Sequence, residues 1–230
     1  MSTHVVTYYM KSEFAENRML DESRTEFMLR WHLYRRWRIP QRRERRAEYD
    51  FYKMLDSIPA GTFLDLGANV GKITAKALEY GHDVVAFEPD PLALAELRQR
   101  FGSDPRVQIV PKAVGARAGT ATFYRGDNDY TEASSLLKNA YNSAGIPIEV
   151  EVVNIVDFIR DFQGTIAAIK MDIEGAEAEC LEAILDNGLH KNVGHILVET
   201  HERFSTELAE RIGQLRRRTK GIPNINLDWI

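Results

Sequence analysis

The sequence predicts an α/β protein: a Rossmann-like, doubly wound, mostly parallel sheet preceded by an N-terminal helical extension. Three observations carry this expectation. Thr62–Pro89 reads as a βαβ unit, in which the apolar run Thr62–Leu66 ends in a Gly-rich turn, a helical run follows, and Val84-Val85-Ala86-Phe87 ends in Glu88. Strand–helix alternation then recurs down the chain, which implies parallel pairing with right-handed crossovers. Residues 1–55 differ from the rest, holding no glycine and a single proline, Pro40.

The bulk numbers set the frame. A chain of 230 residues is long enough for one α/β domain plus an appendage, which places the extension at 1–55 and the main domain at 56–230. The net charge of −4 argues nothing about partners by itself. Cys180 is the single cysteine and cannot form an internal disulfide. No apolar run approaches the roughly 18 residues that span a bilayer. The stretch Met1-Ser2-Thr3-His4 lacks the charged and apolar regions of a signal peptide, so a cytoplasmic protein without a membrane span is the expectation.

In the extension, Phe14, Met19, Leu20, Phe27, Met28, Trp31 and Tyr34 recur at mixed helical spacing, predicting one or two amphipathic helices, with another over Tyr49–Ile58. Between them lie Arg35, Arg36, Arg38, Arg42, Arg43, Arg45 and Arg46. Such a run is either a docking surface for nucleic acid or anionic lipid, or a solvated helix face with Tyr34 and Trp37 beneath it. The acidic pI of about 5.9 favours the solvated face, so nucleic acid is not the expected partner. Trp31 and Trp37 on an appended helix also suit a homodimer contact or a lid.

In the main domain, Thr62–Leu66, Asp83–Phe87, Val107–Val110, Ile166–Met171 and His195–Glu199 read as parallel strands, and Ile225–Trp229 as a last short one. Helices are predicted over Gly71–Tyr80, Pro91–Phe101, Ile155–Phe162, Ala176–Asn187 and Phe204–Arg218. Gly119–Tyr124 and Ile148–Val153 alternate instead, which predicts a hairpin-like pair added to the sheet. The polar segment between them, which includes Ser134 and Ser135, is expected to be a functional loop.

The glycine turn narrows the ligand. A P-loop needs four residues between its glycines and then Lys and Ser/Thr. Here three residues separate Gly67 from Gly71, and Ile73 follows Lys72. A dinucleotide site wants glycine where Asn69 stands, so that the backbone can approach a pyrophosphate. S-adenosylmethionine (SAM) has no phosphates and needs no such approach. Asp65 suits its ammonium and sulfonium charge, backbone N–H groups at the helix N-terminus suit its carboxylate, and Glu88 accepts from both ribose hydroxyls. The alternative is that Asp65 and Glu88 only cap helices.

The chain resembles the FkbM family of SAM-dependent methyltransferases. The resemblance rests on Phe63-Leu64-Asp65-Leu66-Gly67-Ala68-Asn69-Val70-Gly71-Lys72, Ala86-Phe87-Glu88-Pro89-Asp90-Pro91, Lys112-Ala113-Val114-Gly115, Ser134-Ser135-Leu136, Ile169-Lys170-Met171-Asp172-Ile173-Glu174-Gly175-Ala176-Glu177 and Ile196-Leu197-Val198-Glu199. It implies a class I methyltransferase sheet and methyl transfer from SAM to a hydroxyl of a sugar, polyketide or other small molecule. Asp65, Gly67, Ala68, Asn69, Gly71, Glu88 and Pro89 would hold the donor. Ala113 and Val114 would line the adenine, and Ser135 would fold over the donor or the acceptor. After Glu199 only 31 residues remain, too few for the closing hairpin usual in such sheets, so the edge is expected to be shortened or filled from an unusual direction.

A hydroxyl acceptor must lose its proton, so a base belongs near the methyl group. Asp172 and Glu174 flank the end of the fourth parallel strand, with Lys170 in phase, and Glu199 and His201 form a second in-phase pair. Lys170, Asp172, Glu174 and His201 are therefore the catalytic candidates. Two plainer readings remain: Glu174 starts the next helix, and His201 is a surface residue beside Glu202 and Arg203. Asp172, Glu199 and His201, with Glu174, also offer ligands for a divalent cation, though a metal is not the favoured expectation. A non-catalytic SAM- or nucleoside-binding module and a polyanion methyltransferase are the competing functions.

Overall fold

The computed structural model describes residues 23–36, 43–125 and 146–229. The chain divides into two compact units after Ser57.

The first unit contains α1 (Arg24–Arg36) and α2 (Arg43–Ser57). Ser23 starts α1 with a reciprocal cap: its Oγ accepts from the Glu26 N–H, and Glu26 Oε2 accepts from the Ser23 N–H. Phe27 and Trp31, one turn apart on α1, are buried, as are Phe51, Tyr52 and Leu55 of α2. The Trp31 ring stacks on Tyr49 with centroids 4.5 Å apart, and the Arg45 guanidinium lies over Phe27 and Tyr34. Trp31 thus packs inside its own unit. Of the arginine run, Arg35, Arg36 and Arg46 are exposed; Arg38, Arg42 and Trp37 lie outside the described residues.

The second unit is built on a six-stranded sheet in the order β3-β2-β1-β7-β8-β9, every pair parallel. Its strands are β1 (Thr62–Leu66), β2 (Asp83–Phe87), β3 (Val107–Val110), β7 (Ile166–Met171), β8 (Val193–Glu199) and β9 (Ile225–Trp229). The helices are α3 (Lys72–Glu79), α4 (Pro91–Phe101), α5 (Ile155–Asp161), α6 (Glu177–Asp186) and α7 (Thr206–Arg218). Connections run outward from β1 in one direction and from β7 in the other. With right-handed crossovers, α3 and α4 therefore cover one face and α6 and α7 the other. Leu64, Leu66, Ile169, Met171, Ile196 and Val198 pack with α5, α6 and α7 in one apolar core. The alternate residues of the same strands, Asp65, Lys170 and Glu199, fall on the opposite face near the carboxyl edge.

One expectation is corrected. The antiparallel pair β5 (Gly119–Tyr124) and β6 (Pro147–Asn154) does not extend the main sheet. It joins β4 (Ala113–Gly115) in a separate sheet ordered β4-β6-β5. Pro111, just past β3, has no N–H to continue the ladder, and the chain peels away there. At the other edge the sheet ends as expected, in one helix and one short strand with no closing hairpin among the described residues. β9 closes it as a sixth parallel strand carried over by α7. Helix α7 is anchored by its Ser205 cap and by the buried Leu208, Ile212 and Leu215.

The strand order reverses between β1 and β7, where open α/β sheets bind ligands. There the backbone of β1 runs so close to that of β7 that a Cβ on Gly67, whose φ is +75°, would lie 1.8 Å from the Asp172 carbonyl oxygen. Gly71 is held by packing instead, since a Cβ there would meet Phe101 and Leu97 of α4 at 2.4 and 2.7 Å. We expect Gly67→Ala to lower the unfolding free energy by more than ~3 kcal/mol in urea titrations, because backbone and not a flexible side chain blocks it. A cost below ~1 kcal/mol would show that the β1–β7 approach is looser than described.

Candidate active site at the β1–β7 switch point

The turn after β1 satisfies its backbone groups locally. The Gly67 and Ala68 N–H groups both donate to the Phe87 carbonyl, and Gly71 N–H donates to Ala68. Asn69, at φ 48°, turns its N–H onto Glu88 Oε2 at 2.7 Å. Glu88 Oε1 accepts from the Asp90 N–H at 2.8 Å, and Asp90 in turn caps α4 through the Leu92 N–H. Glu88 thus stands at the end of β2 with each oxygen fixed by one backbone N–H. Burial pushes its pKa up to about 7 against the pull of those two donors. The N-cap of helix α3 is Gly71, which brings no side chain of its own to the helix N-terminus.

Asp65 sits differently from expectation. It is fully buried beneath the turn, with Oδ2 accepting from the Thr74 hydroxyl at 2.7 Å and Oδ1 3.5 Å from Lys170 Nζ. The register explains the pair, because Asp65 lies directly beside Lys170 across β1 and β7. Lys170 Nζ also donates to the Gly67 carbonyl at 2.7 Å and lies 3.3 Å from Asp172 Oδ2. Burial alone would lower the Lys170 pKa, but Asp172, Asp65 and Glu199 outweigh it and hold the pKa above the usual lysine value. Lys170 is therefore a fixed cation joining the glycine turn to Asp172, and its shift runs away from neutrality. The ammonium that faces Asp65 in this structure is the chain's own.

The second cluster gathers at the ends of β7 and β8. His201 is 1% exposed, which overturns the surface reading. Its Nδ1 lies 3.0 Å from Glu177 Oε1, and its Nε2 lies 3.3 Å from Glu174 Oε2, 3.8 Å from Glu199 Oε1 and 3.9 Å from Asp172 Oδ1. Glu174 has φ 55°, followed by Gly175 at 108°, and this strained turn aims its carboxylate back at the imidazole. Burial raises the Glu174 pKa to about 8, with His201 opposing and Asp172, Glu199 and Glu177 adding to the rise. Burial would lower that of His201, but Glu177, Glu174 and Asp172 raise it to about 10. Asp172, Glu174 and Glu199 keep side-chain exposures of 29%, 20% and 19%, so the cluster has one open side made of carboxylates.

The structure thus brings Lys170, Asp172, Glu174, Glu199 and His201 together, next to Asp65 and Gly67. Pro89 is half-buried beside Glu88. Ala113 and Val114 form β4, with Val114 in the main core and Ala113 in the core of the small sheet. Lys112 pairs with Glu151 at 2.6 Å. Ser134 and Ser135 lie outside the described residues. Two contributors were missed. Thr74 fixes Asp65, and nothing in its helical position signals this. Glu177 is fully buried, accepts from the Ile173 and Gly175 N–H groups, and faces His201. Its signal was present in the Lys-x-Asp-x-Glu-Gly-x-Glu run, of which it is the last acid.

Residues 65–220 match the model of the methyltransferase FkbM domain. Over 138 residues the chain is 28% identical to the 2-O-methyltransferase NoeI of Sinorhizobium fredii (strain NBRC 101917 / NGR234), a match covering 54% of this chain and 57% of that protein. The chain thus spans little more than half the length of that relative. Among solved structures, SAH-bound Podospora anserina methyltransferase PaMTH1 aligns with 82% of this chain and 67% of its own, at TM-score 0.37 and 14% identity. A TehB-like SAM-dependent methyltransferase from Corynebacterium glutamicum aligns with 83% and 81%, at TM-score 0.35 and 15% identity. The family match runs from Asp65 through α7 and so takes in the glycine turn, Glu88 and the whole β7–β8 cluster; the chain belongs to the FkbM methyltransferase domain family.

Proposed function

We propose that the protein transfers a methyl group from SAM to a hydroxyl oxygen of a small molecule such as a sugar or polyketide. The observation that carries this reading is the adjacency of two unlike sites across one strand pair: a nucleoside seat at the ends of β1 and β2, and an acid-rich cluster at the ends of β7 and β8. The 2-O-methyltransferase named above supports oxygen as the acceptor atom.

In this reading the two Glu88 oxygens accept from the ribose hydroxyls. The N-terminal end of α3 takes the donor's carboxylate. Asp65 acts through Lys170 as a positioning residue. The acceptor O–H gives its proton to the Asp172/Glu174 pair while its oxygen attacks the methyl carbon. The carbon–sulfur bond breaks, the sulfonium becomes a neutral thioether, and the products are a methyl ether, S-adenosylhomocysteine and one proton. The protein's part is to align oxygen, carbon and sulfur and to keep carboxylates where the proton leaves.

Two results would test this. Asp172→Asn should lower methyl transfer to a hydroxylated acceptor by roughly 10²-fold or more while changing SAM affinity less than ~3-fold, as read by single-turnover assay and calorimetry. An equal loss in both would place Asp172 in donor binding instead. Separately, 5′-methylthioadenosine, which carries the ribose but no titrating amine, should bind roughly tenfold more weakly at pH 6 than at pH 8, because only ionised Glu88 accepts from both hydroxyls. The direction follows from its pKa of about 7: the carboxylate is lost as pH falls through that value. Glu88→Gln should bind weakly and without pH dependence, and a pH-dependent Glu88→Gln would remove Glu88 from the ribose.

A further inference from the structure

Around His201 the described residues hold more carboxyl groups than basic ones. Asp65, Asp172, Glu174, Glu177 and Glu199 face two basic side chains, Lys170 and His201. Lys170 is committed to Asp65, Asp172 and the Gly67 carbonyl. The imidazole is 1% exposed, and its Nε2 makes no hydrogen bond, yet it is aimed into the carboxylates of Asp172, Glu174 and Glu199. A buried ring nitrogen in that setting lacks a geometrically good partner and points at the place where one belongs.

We propose that Asp172, Glu199 and His201 bind a divalent cation of the magnesium–manganese type, with Glu177 orienting the imidazole. One ligand atom from each of the three lies within 4.8 Å of the others. Octahedral coordination at ~2.1 Å puts ligand atoms ~3 Å apart when adjacent and ~4.2 Å apart when opposite, so small side-chain movements close this set. Two carboxylate oxygens and one imidazole nitrogen, with an open side toward solvent, match a hard cation that keeps water or substrate ligands. Glu177 is placed as an outer partner. It is fully buried, its own oxygens are fixed by the Ile173 and Gly175 N–H groups, and it stands 3.0 Å from Nδ1, so that cation binding would displace the Nε2 proton and leave the Nδ1 proton facing Glu177. That carboxylate–histidine pairing is what ligating histidines use to fix tautomer and ring orientation.

This inference rests on the methyl-transfer reading for its use. At the ends of β7 and β8 the cation would hold the acceptor through its hydroxyl, or a hydroxyl pair, and favour the oxyanion over the alcohol. Asp172 would then serve as a ligand, leaving Glu174 beside it to receive the proton.

The test is Mn²⁺ binding, followed by the loss of the free-ion EPR signal on titrating chelator-stripped protein with no donor or acceptor present. We expect one Mn²⁺ per chain, with affinity at least ~10-fold weaker in Glu199→Gln and in His201→Asn, and roughly 10–100-fold weaker in Glu177→Gln. Absence of binding to the unmutated protein at about 1 mM Mn²⁺ would overturn the site. Stoichiometric binding that is unchanged in both Glu199→Gln and His201→Asn, checked as folded by circular dichroism, would overturn it equally. The two readings fail separately. Mn²⁺ binding without turnover on any hydroxylated acceptor removes methyl transfer and keeps the cation site. Full turnover in excess EDTA without Mn²⁺ binding does the reverse.

Discussion

The buried ammonium of Lys170 is the constraint on which the rest of the site depends. It stands 5% exposed in a strand that is otherwise Ile, Ala and Met, and a charge in that position is costly unless it is matched. The match comes from both sides of the switch point. Asp65 on β1 and Asp172 at the end of β7 flank it, and the Gly67 carbonyl lies between them. Because strands β1 and β7 are hydrogen-bonded neighbours in fixed register, satisfying Lys170 also fixes where the glycine turn meets the acid cluster. Gly67 lets the two backbones come close enough for this, since any side chain there would strike the Asp172 carbonyl.

From that pivot two regions of opposite character follow. On the β2 side, backbone N–H groups outnumber charges, and one carboxylate, Glu88, is held by two of them with spare acceptor capacity on each oxygen. On the β8 side, carboxylates outnumber cations around a single imidazole. A site that keeps its acids crowded stores electrostatic cost, which the apolar core beneath β7 and β8 offsets by burial. Their alternation, apolar toward α6 and α7 and charged at the carboxyl edge of the other face, is the period-2 geometry of a strand used for two purposes.

Much of this was legible in the sequence, and for reasons that can be named. The strand-end acids Asp65, Glu88, Asp172 and Glu199 each follow an apolar run, so periodicity places them on the carboxyl edge without any knowledge of packing. The spacing of Gly67 and Gly71 and the identity of Asn69 disfavoured phosphate ligands in the same way. What stayed hidden depends on contacts between elements distant in sequence. That Asp65 faces Lys170 is a matter of β1–β7 register, 105 residues apart, and periodicity does not report register between strands. His201 follows a strand and precedes two charged residues, so it read equally well as surface. It is buried against Glu177, whose role is visible only once the turn at Glu174 and Gly175 is folded. The separate β4-β6-β5 sheet was missed because alternation identifies strands but does not say which sheet they join.

Lys170 couples β1 to β7 as a buried, matched charge. A double-mutant cycle on Lys170→Met and Asp65→Leu, measured by urea unfolding, tests it most directly. Lys170→Met leaves Asp65 buried without its cation and should cost ~3–5 kcal/mol; Asp65→Leu leaves Lys170 with Asp172 alone and should cost less, and the double change should cost clearly less than the sum of the two. Additive costs would contradict the account, because they would mean that the two groups are stabilised independently and that the switch point is set by something else.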